Sequence, residues 1–282
     1  MPTDQRIDRR DLGGPFDIVG DVHGCATELG RLLERLGYRA AGNGWQPPPG
    51  RTLVLLGDLV DRGPRVPDVL RATMAMVADG RALAVIGNHD DKLLRWLRGR
   101  NVQVRHGLEQ SIDQLVREPD GFRNSVREFL ASLPSHHLLD GGRLVVAHAG
   151  LPATMHGRTD RTVRDFAMYG ATTGRLDEHG MPERLDWTER YRGTATVVYG
   201  HTPVAEPEWR GRTIDVDTGC VFGNRLTALR YPELEIVSVP AERTYAAKGR
   251  PFLRFGPGGP PADTPRAAAA ETHEPFPEAR PA

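Results

Sequence analysis

The chain has 282 residues, with 37 Lys and Arg against 37 Asp and Glu, so its formal net charge is zero. That length suits one large α/β domain or two small ones, and neutrality excludes the broad basic surface with which a protein grips long duplex nucleic acid. No apolar run is long enough for a bilayer span and no charged-then-apolar leader opens the chain; the two cysteines, Cys25 and Cys220, read as thiols of a soluble, cytoplasmic protein rather than as a disulfide framework.

In chain order, Met1 to Gly14 is polar and is expected to be loose. Phe16-Asp17-Ile18-Val19 is a short strand, and Leu29, Leu32, Leu33 and Leu36 fall at helical spacing between Cys25 and Tyr38, with Gly37 as the stop. The Pro/Gly stretch 44–50 is a loop, 52–56 a second buried strand, 66–78 a helix and 82–86 a third strand. This β-α-β-α-β order predicts a mainly parallel sheet. Residues 90–133 carry a helical pattern broken at Gly99, Gly107 and Gly121, and are expected to form a helical insertion. A strand returns at 143–147. The polar, glycine-containing stretch 157–193 is expected to act as a lid, and 196–199, 213–216, 226–229 and 235–239 as consecutive strands, antiparallel in part. Two facing mixed sheets with helices outside follow. From Gly256 the chain is rich in Gly, Pro and Ala and is expected to be disordered.

The chemistry sits in short blocks at the ends of apolar runs, where open α/β sheets bind ligands. Asp21 and His23, two residues apart beside Gly24, can face one metal together. Asp58 ends a Leu/Val strand, where a carboxylate is costly unless paired, hydrogen-bonded or metal-bound, and its two oxygens can bridge two cations. Asn88 offers a neutral carbonyl oxygen, and His148 and His201 each follow an apolar strand. Any one of these is commonplace, since an Asp-x-His is ordinarily a surface pair and a histidine on an apolar run is ordinarily core. Together they describe a centre for two divalent ions. Histidine, carboxylate and amide oxygen suit Mn2+, Fe2+, Ni2+ or Zn2+, with Mn2+ the first expectation, and the cysteine count excludes thiolate-rich structural zinc.

Two such ions can activate water and polarise a phosphoryl oxygen. His89, next to Asn88, can donate a proton to the leaving group. Asp61 can hold that imidazole, and Arg62 can grip phosphate oxygens in a fork. Asp217 is a candidate partner for a ligating histidine, or merely a turn-forming Asp. Lys92, Arg95, Arg98, Arg100 and Arg105 read either as a solvated helix face or as an approach for an oligonucleotide end, and Trp96 as core or as a base-stacking platform.

Gly20-Asp21-Val22-His23-Gly24, Gly57-Asp58-Leu59-Val60-Asp61-Arg62-Gly63 and Gly87-Asn88-His89-Asp90 resemble the signature of calcineurin-like metallophosphoesterases, in the branch of Ser/Thr phosphatases and symmetrical dinucleoside tetraphosphatases. The resemblance implies a four-layer α/β fold and a dinuclear site ligated by Asp21, His23, Asp58, Asn88, His148 and His201. It implies His89 as acid, Asp61 as its partner and Arg62 as clamp. More narrowly, Tyr199-Gly200-His201-Thr202-Pro203-Val204, Asp217-Thr218-Gly219-Cys220-Val221-Phe222-Gly223 and the stretch after Lys92 resemble the phosphatase module of bacterial RNA-repair polynucleotide kinase-phosphatases. That likeness implies hydrolysis of 2′- or 3′-terminal or 2′,3′-cyclic phosphates, with a functional role for Asp217. No Walker phosphate loop is present, so kinase or ligase partners would act in trans. The expectation is a phosphoesterase domain over 15–240, with a helical insertion at about 90–135 and a lid at about 155–193. Its substrate is a phosphorylated small molecule or an RNA end. The alternatives are a tetraphosphatase, a Ser/Thr protein phosphatase, or a non-catalytic module that binds phosphorylated ligands.

Overall fold

The computed structural model describes residues 6–252; the tail from Gly256 lies outside the described residues. In chain order the elements are β1 (Asp8–Arg9), β2 (Phe16–Val19), α1 (Ala26–Arg35), β3 (Arg39–Ala41), β4 (Gly44–Gln46), β5 (Thr52–Leu55), α2 (Val66–Ala78) and β6 (Ala82–Ala84). Then follow α3 (Asn88–Leu97), α4 (Leu108–Leu115), α5 (Asp120–Ser132), β7 (His136–Leu139), β8 (Leu144–Ala147), α6 (Arg161–Tyr169), β9 (Thr172–Leu176) and β10 (Pro182–Arg184). The chain closes with β11 (Thr196–Tyr199), β12 (Glu208–Arg210), β13 (Thr213–Asp215), β14 (Arg225–Tyr231) and β15 (Glu235–Pro240).

Two mixed sheets form the centre, in the orders β1-β7-β8-β11-β13-β12 and β15-β14-β2-β5-β6. β2, β5 and β6 run parallel in one sheet, and β8, β11 and β13 run parallel in the other. The side-chain period of two explains the layers. Ile18, Val54, Leu56 and Leu83 point from one sheet, and Leu144, Val146, Val198 and Ile214 from the other, into one shared core. The alternate residues Val19, Leu53, Leu55 and Ala84 meet α1–α5 on the first sheet's outer face. Val145, Ala147, Val197 and Tyr199 meet α6 and Trp187 on the second sheet's outer face. The result is helix, sheet, sheet, helix. Both faces of the parallel strands are covered, which is why they read as continuous apolar runs.

Several segments differ from the sequence reading. Residues 8–9, expected to be loose, add β1 in parallel to β7. Residues 39–46 form the β3–β4 hairpin where the loop begins. The lid region contains α6, capped by Asp160 accepting from the Val163 N–H at 3.2 Å, followed by the antiparallel β9–β10 hairpin. His136 and His137, without a reading from sequence, form the buried start of β7. The four late strands divide between the sheets: β11 and β13 pair in parallel in one, while β14 and β15 pair antiparallel in the other.

Candidate metal centre

Every candidate ligand follows the C-terminal end of a parallel strand: Asp21 and His23 after β2, Asp58 after β5, Asn88 after β6, His148 after β8 and His201 after β11. The two sheets point these ends at one another. Tight turns aim the side chains, and they leave non-glycine residues in the left-handed region: His23 (φ 44°), Asp58 (φ 45°), Asp61 (φ 72°), Arg62 (φ 68°) and His201 (φ 75°). Such backbone persists only where the surroundings over-determine it, and it gathers at functional sites.

The imidazoles are fixed from behind. His23 Nδ1 donates to the Val60 carbonyl at 2.7 Å and His148 Nδ1 to the Leu56 carbonyl at 3.0 Å, so each turns Nε2 inward. Asp58 Oδ2 lies between them, 3.6 Å from His23 Nε2 and 3.4 Å from His148 Nε2. His148 Nε2 is also 3.0 Å from Asn88 Oδ1 and 3.0 Å from His201 Nδ1. Asp21 Oδ1 is 3.9 Å from His148 Nδ1 and accepts from the His201 N–H at 3.4 Å. Two overlapping groups result, His23/Asp58/His89 and Asp58/His148/His201, with Asp58 in both.

The donor set fits a pair of divalent cations. Asp21 Oδ2 is buried without a hydrogen-bond partner. Burial, and then the neighbouring Asp217 and Asp58, hold the Asp21 carboxyl well above its usual range. Burial and Asp90 do the same to Asp58. Burial pushes the His148 imidazole down to about 3, and lowers His23 and His201 well below 6.5, so these rings are neutral and can offer lone pairs. Crowded carboxylates with nitrogen donors around them are the charge pattern that a cation relieves.

His89 sits on the rim at the start of α3. Its backbone N–H donates to Asp58 Oδ1 at 2.9 Å and its Nδ1 to Asp61 Oδ2 at 2.6 Å. Asp61 is held in turn by the Ser111 hydroxyl at 2.6 Å. Arg62 places one N–H at His23 Nε2 (2.5 Å) and another at His89 Nε2 (2.8 Å), with its guanidinium 5.2 Å from the Phe222 ring centroid. Asp217 Oδ1 accepts the Gly219 N–H at 2.9 Å, and the carboxylate stands close enough to Asp21 to raise it.

Three residues escaped the sequence reading. Asp90 accepts the Gly87 and Leu59 N–H groups, each at 3.0 Å, and ties two site turns together. Ser111, on α4, orients Asp61. Arg184, at the end of β10, places an N–H 2.6 Å from His201 Nε2 and another on the Tyr169 carbonyl. Asp90 had a signal, being the third residue of its helix behind a glycine cap. Ser111 and Arg184 had none, because only tertiary packing brings them in. The basic stretch belongs to the solvated face: Arg95 pairs with Asp91 at 3.1 Å, Lys92 donates to the Arg105 carbonyl at 2.7 Å, and Trp96 packs on the core. Cys25 and Cys220 are free and buried.

The sequence profile of calcineurin-like phosphoesterases matches residues 14–231. The chain belongs to that family. It is therefore a hydrolase of phosphoester bonds, in a family that works through a pair of metal ions. It is 45% identical over 242 residues to the asymmetrical bis(5′-nucleosyl)-tetraphosphatase PrpE of Anoxybacillus flavithermus, covering 84% of this chain and 99% of the relative. It is 45% identical over 234 residues to the protein of the same name from Bacillus subtilis, covering 82% of this chain and 96% of the relative. Among solved structures, a candidate diadenosine tetraphosphatase superposes with a TM-score of 0.59 at 27% identity, covering 84% of this chain and 98% of the other. These relatives carry the name of a tetraphosphatase, not of the RNA-repair module that the narrower motifs suggested. Among the described residues no helix is long and apolar enough to cross a membrane.

Proposed function

We propose that this phosphoesterase hydrolyses dinucleoside tetraphosphates, cleaving them asymmetrically into a nucleoside monophosphate and a triphosphate. The observation that carries the reading is near full-length similarity to the tetraphosphatases, together with a complete set of candidate ligands, acid and clamps around one cleft. Of the substrates that the motifs allow, it favours the dinucleotide over an RNA terminal phosphate or a phosphoprotein, and the asymmetrical cut over the symmetrical one.

Asp21, His23, Asp58, Asn88, His148 and His201 would hold the two ions, with Asp58 shared; Mn2+ is the first expectation. Bound, the ions supply an activated water and charge for the phosphoryl oxygens. The chain's own residues do the rest. Arg62 and Arg184 reach the cleft from opposite sides, each ending on an imidazole nitrogen. A phosphate entering between them would take up those N–H groups in bidentate contacts. His89 Nε2 is then released from Arg62, and its Nδ1–H stays on Asp61. Its free nitrogen can carry the proton that the departing phosphate oxygen takes.

The test is one substrate panel run with one metal at a time: dinucleoside tetraphosphate, 3′-phosphorylated RNA, a 2′,3′-cyclic nucleotide and a phosphopeptide. Mn2+, Ni2+, Fe2+ and Zn2+ form the arms, with Asp58→Ala and His89→Ala as controls. The expected result is highest kcat/KM on the dinucleotide, lost in both controls. Preference for the RNA end or the phosphopeptide overturns the substrate, and wild-type activity no higher than the controls favours a binding module.

A further inference from the structure

Beside the metal centre lies a cavity of about 330 Å3 that opens on Gly200 and His201. It is of the size at which small-ligand sites begin. One wall is the second sheet's outer face, where Tyr199 and Trp187 meet edge to face with ring centroids 5.2 Å apart. The β9–β10 hairpin and Arg250 close the other side. Ala149 and Ala171 add small side chains to the lining.

The charges in this cavity are sorted. Asp186 is engaged by Arg210 and by the Thr188 hydroxyl at 2.6 Å, Glu183 by the Thr173 hydroxyl at 2.6 Å, and Asp177 by Arg250 at 3.3 Å. Arg184 differs. It pairs with no carboxylate among the described residues, and its Nε is buried without a partner. The cavity thus offers aromatic and aliphatic walls, with the buried Asp215 carboxyl held by the Asp217 N–H at 2.9 Å in its lining and, at the mouth next to His201, a guanidinium with no carboxylate partner among the described residues. A ligand that matches has a flat, weakly polar heterocycle and an anionic phosphate at one end. Inorganic phosphate or a phosphoserine would use the mouth and leave the rest wet.

The geometry points to this cavity as the seat of the nucleoside attached to the phosphorus under attack. The inference rests on the proposed dinucleotide hydrolysis and deepens it. Because the cavity opens on His201 itself, a nucleoside seated there reaches the centre through a single phosphate. Water then forms a bond to that terminal phosphorus. The bond from it to the bridging oxygen breaks, and the departing nucleoside triphosphate takes a proton through His89. Of the water's two protons, one restores His89 and the other goes to solvent. The monophosphate stays seated and leaves last.

Two measurements on the metal-loaded full chain test this. The first compares binding of the methylene-phosphonate analogues of AMP and ribose 5-phosphate, which cannot be hydrolysed. The nucleobase is expected to tighten binding by about tenfold or more, as one stacked base does. In Ala171→Phe, which fills the cavity, that advantage should vanish while the ribose 5-phosphate analogue still binds. Equal affinity of the two analogues for the wild type overturns the proposal even if the variant does not fold, and so does an undiminished base advantage in a folded variant. The second measurement identifies the products of diadenosine tetraphosphate by chromatography. AMP with ATP is expected; two ADP would overturn the asymmetrical cut of the earlier reading, and a wild type that does not cleave the dinucleotide at all would overturn that reading whole. The binding comparison needs no turnover and by itself decides whether the cavity seats the nucleoside.

Discussion

His89 is held at two points, one of them braced from behind, and the holding residues are open to substitution. Its backbone is fixed by Asp58, its ring by Asp61, and Asp61 by Ser111. Removing a positioned proton donor costs roughly 10²–10⁴-fold. His89→Ala should therefore lower kcat on p-nitrophenyl phosphate within that range while metal content, read by elemental analysis, stays at the wild-type value. Asp61→Asn should lose less, because the amide oxygen can still accept the Nδ1–H, and Ser111→Ala less again. If Ser111→Ala lost as much as His89→Ala, the relay from α4 to the ring would be the wrong description. A second residue-scale test lies away from the metals. Burial pushes the His137 imidazole down to about 4, and its Nδ1 donates to the Arg6 carbonyl at 3.0 Å. The folded pKa lies below the ordinary 6.5, so the folded state takes up its proton later than the unfolded one. Its contribution to stability is present above pH 6.5 and is lost as pH falls towards 4. Thermal melts should show the wild type losing stability relative to His137→Gln across that window. Parallel melting curves would remove the histidine from the acid response.

Site residues in contiguous motifs were legible because the turn that strains the backbone and the side chain that binds are within a few positions of each other. Gly57-Asp58 through Gly63 is one such unit. Arg184 was invisible for the opposite reason. It sits in a polar stretch with no apolar period, and reaches His201 only because the hairpin folds over the second sheet.

At the scale of elements, the crossing of the two site turns is the tightest point. A Cβ on Gly63 would lie 1.9 Å from the His23 carbonyl oxygen, and one on Gly87 would lie 2.1 Å from Asp58 Oδ1. The first contact is with backbone, and the Gly87 Cβ would also lie 2.3 Å from the Asp58 backbone nitrogen, so moving the Asp58 side chain aside would not relieve it. Gly63→Ala should separate the β2–α1 turn from the β5–α2 turn and lower the melting temperature, with stability loss of about 2 kcal/mol or more, the range of severe backbone and packing defects. A urea titration of Gly63→Ala against Gly13→Ala is the check. Neither glycine has a positive φ, and Gly13 has open space around its would-be Cβ, so it controls for the change of residue alone. Equal losses would place the cost in the loss of glycine and not in the crossing. Elements with a strong apolar period, such as α1 and α2, were plain in the sequence, whereas α5 runs through Gly121, where the pattern broke. β7 was not, since two histidines and short length hide a strand that its pairing with β8 and β1 defines. β12 and the β9–β10 hairpin were hidden likewise, because edge and lid strands carry little apolar signal.

At the scale of the molecule, the metal centre is the place where the two sheets are tied at their ends. β2, β5 and β6 deliver Asp21, His23, Asp58 and Asn88 from one sheet, and β8 and β11 deliver His148 and His201 from the other. The shared core holds the sheets together along their length, but at the site end it gives way to carboxylates that repel one another. Stripping the ions should therefore weaken the whole fold, not one loop. Ions present at about 100 times their dissociation constant contribute roughly 2.7 kcal/mol. The pH dependence has a definite sign. Burial raises Asp217 to about 6 and holds Asp21 and Asp58 well above 3.8. In the stripped protein the stability that comes from their protonation is present below pH 3.8 and is lost as pH rises through 6. Bound cations favour the ionised carboxylates and remove that loss. The melting-temperature difference between metal-loaded and chelator-treated protein should accordingly be small at pH 4 and widen steadily to pH 7.5. A difference that stayed constant over that range, or narrowed, would mean that the ions do not compensate these carboxylates, and that the sheets are joined at the site end by other contacts.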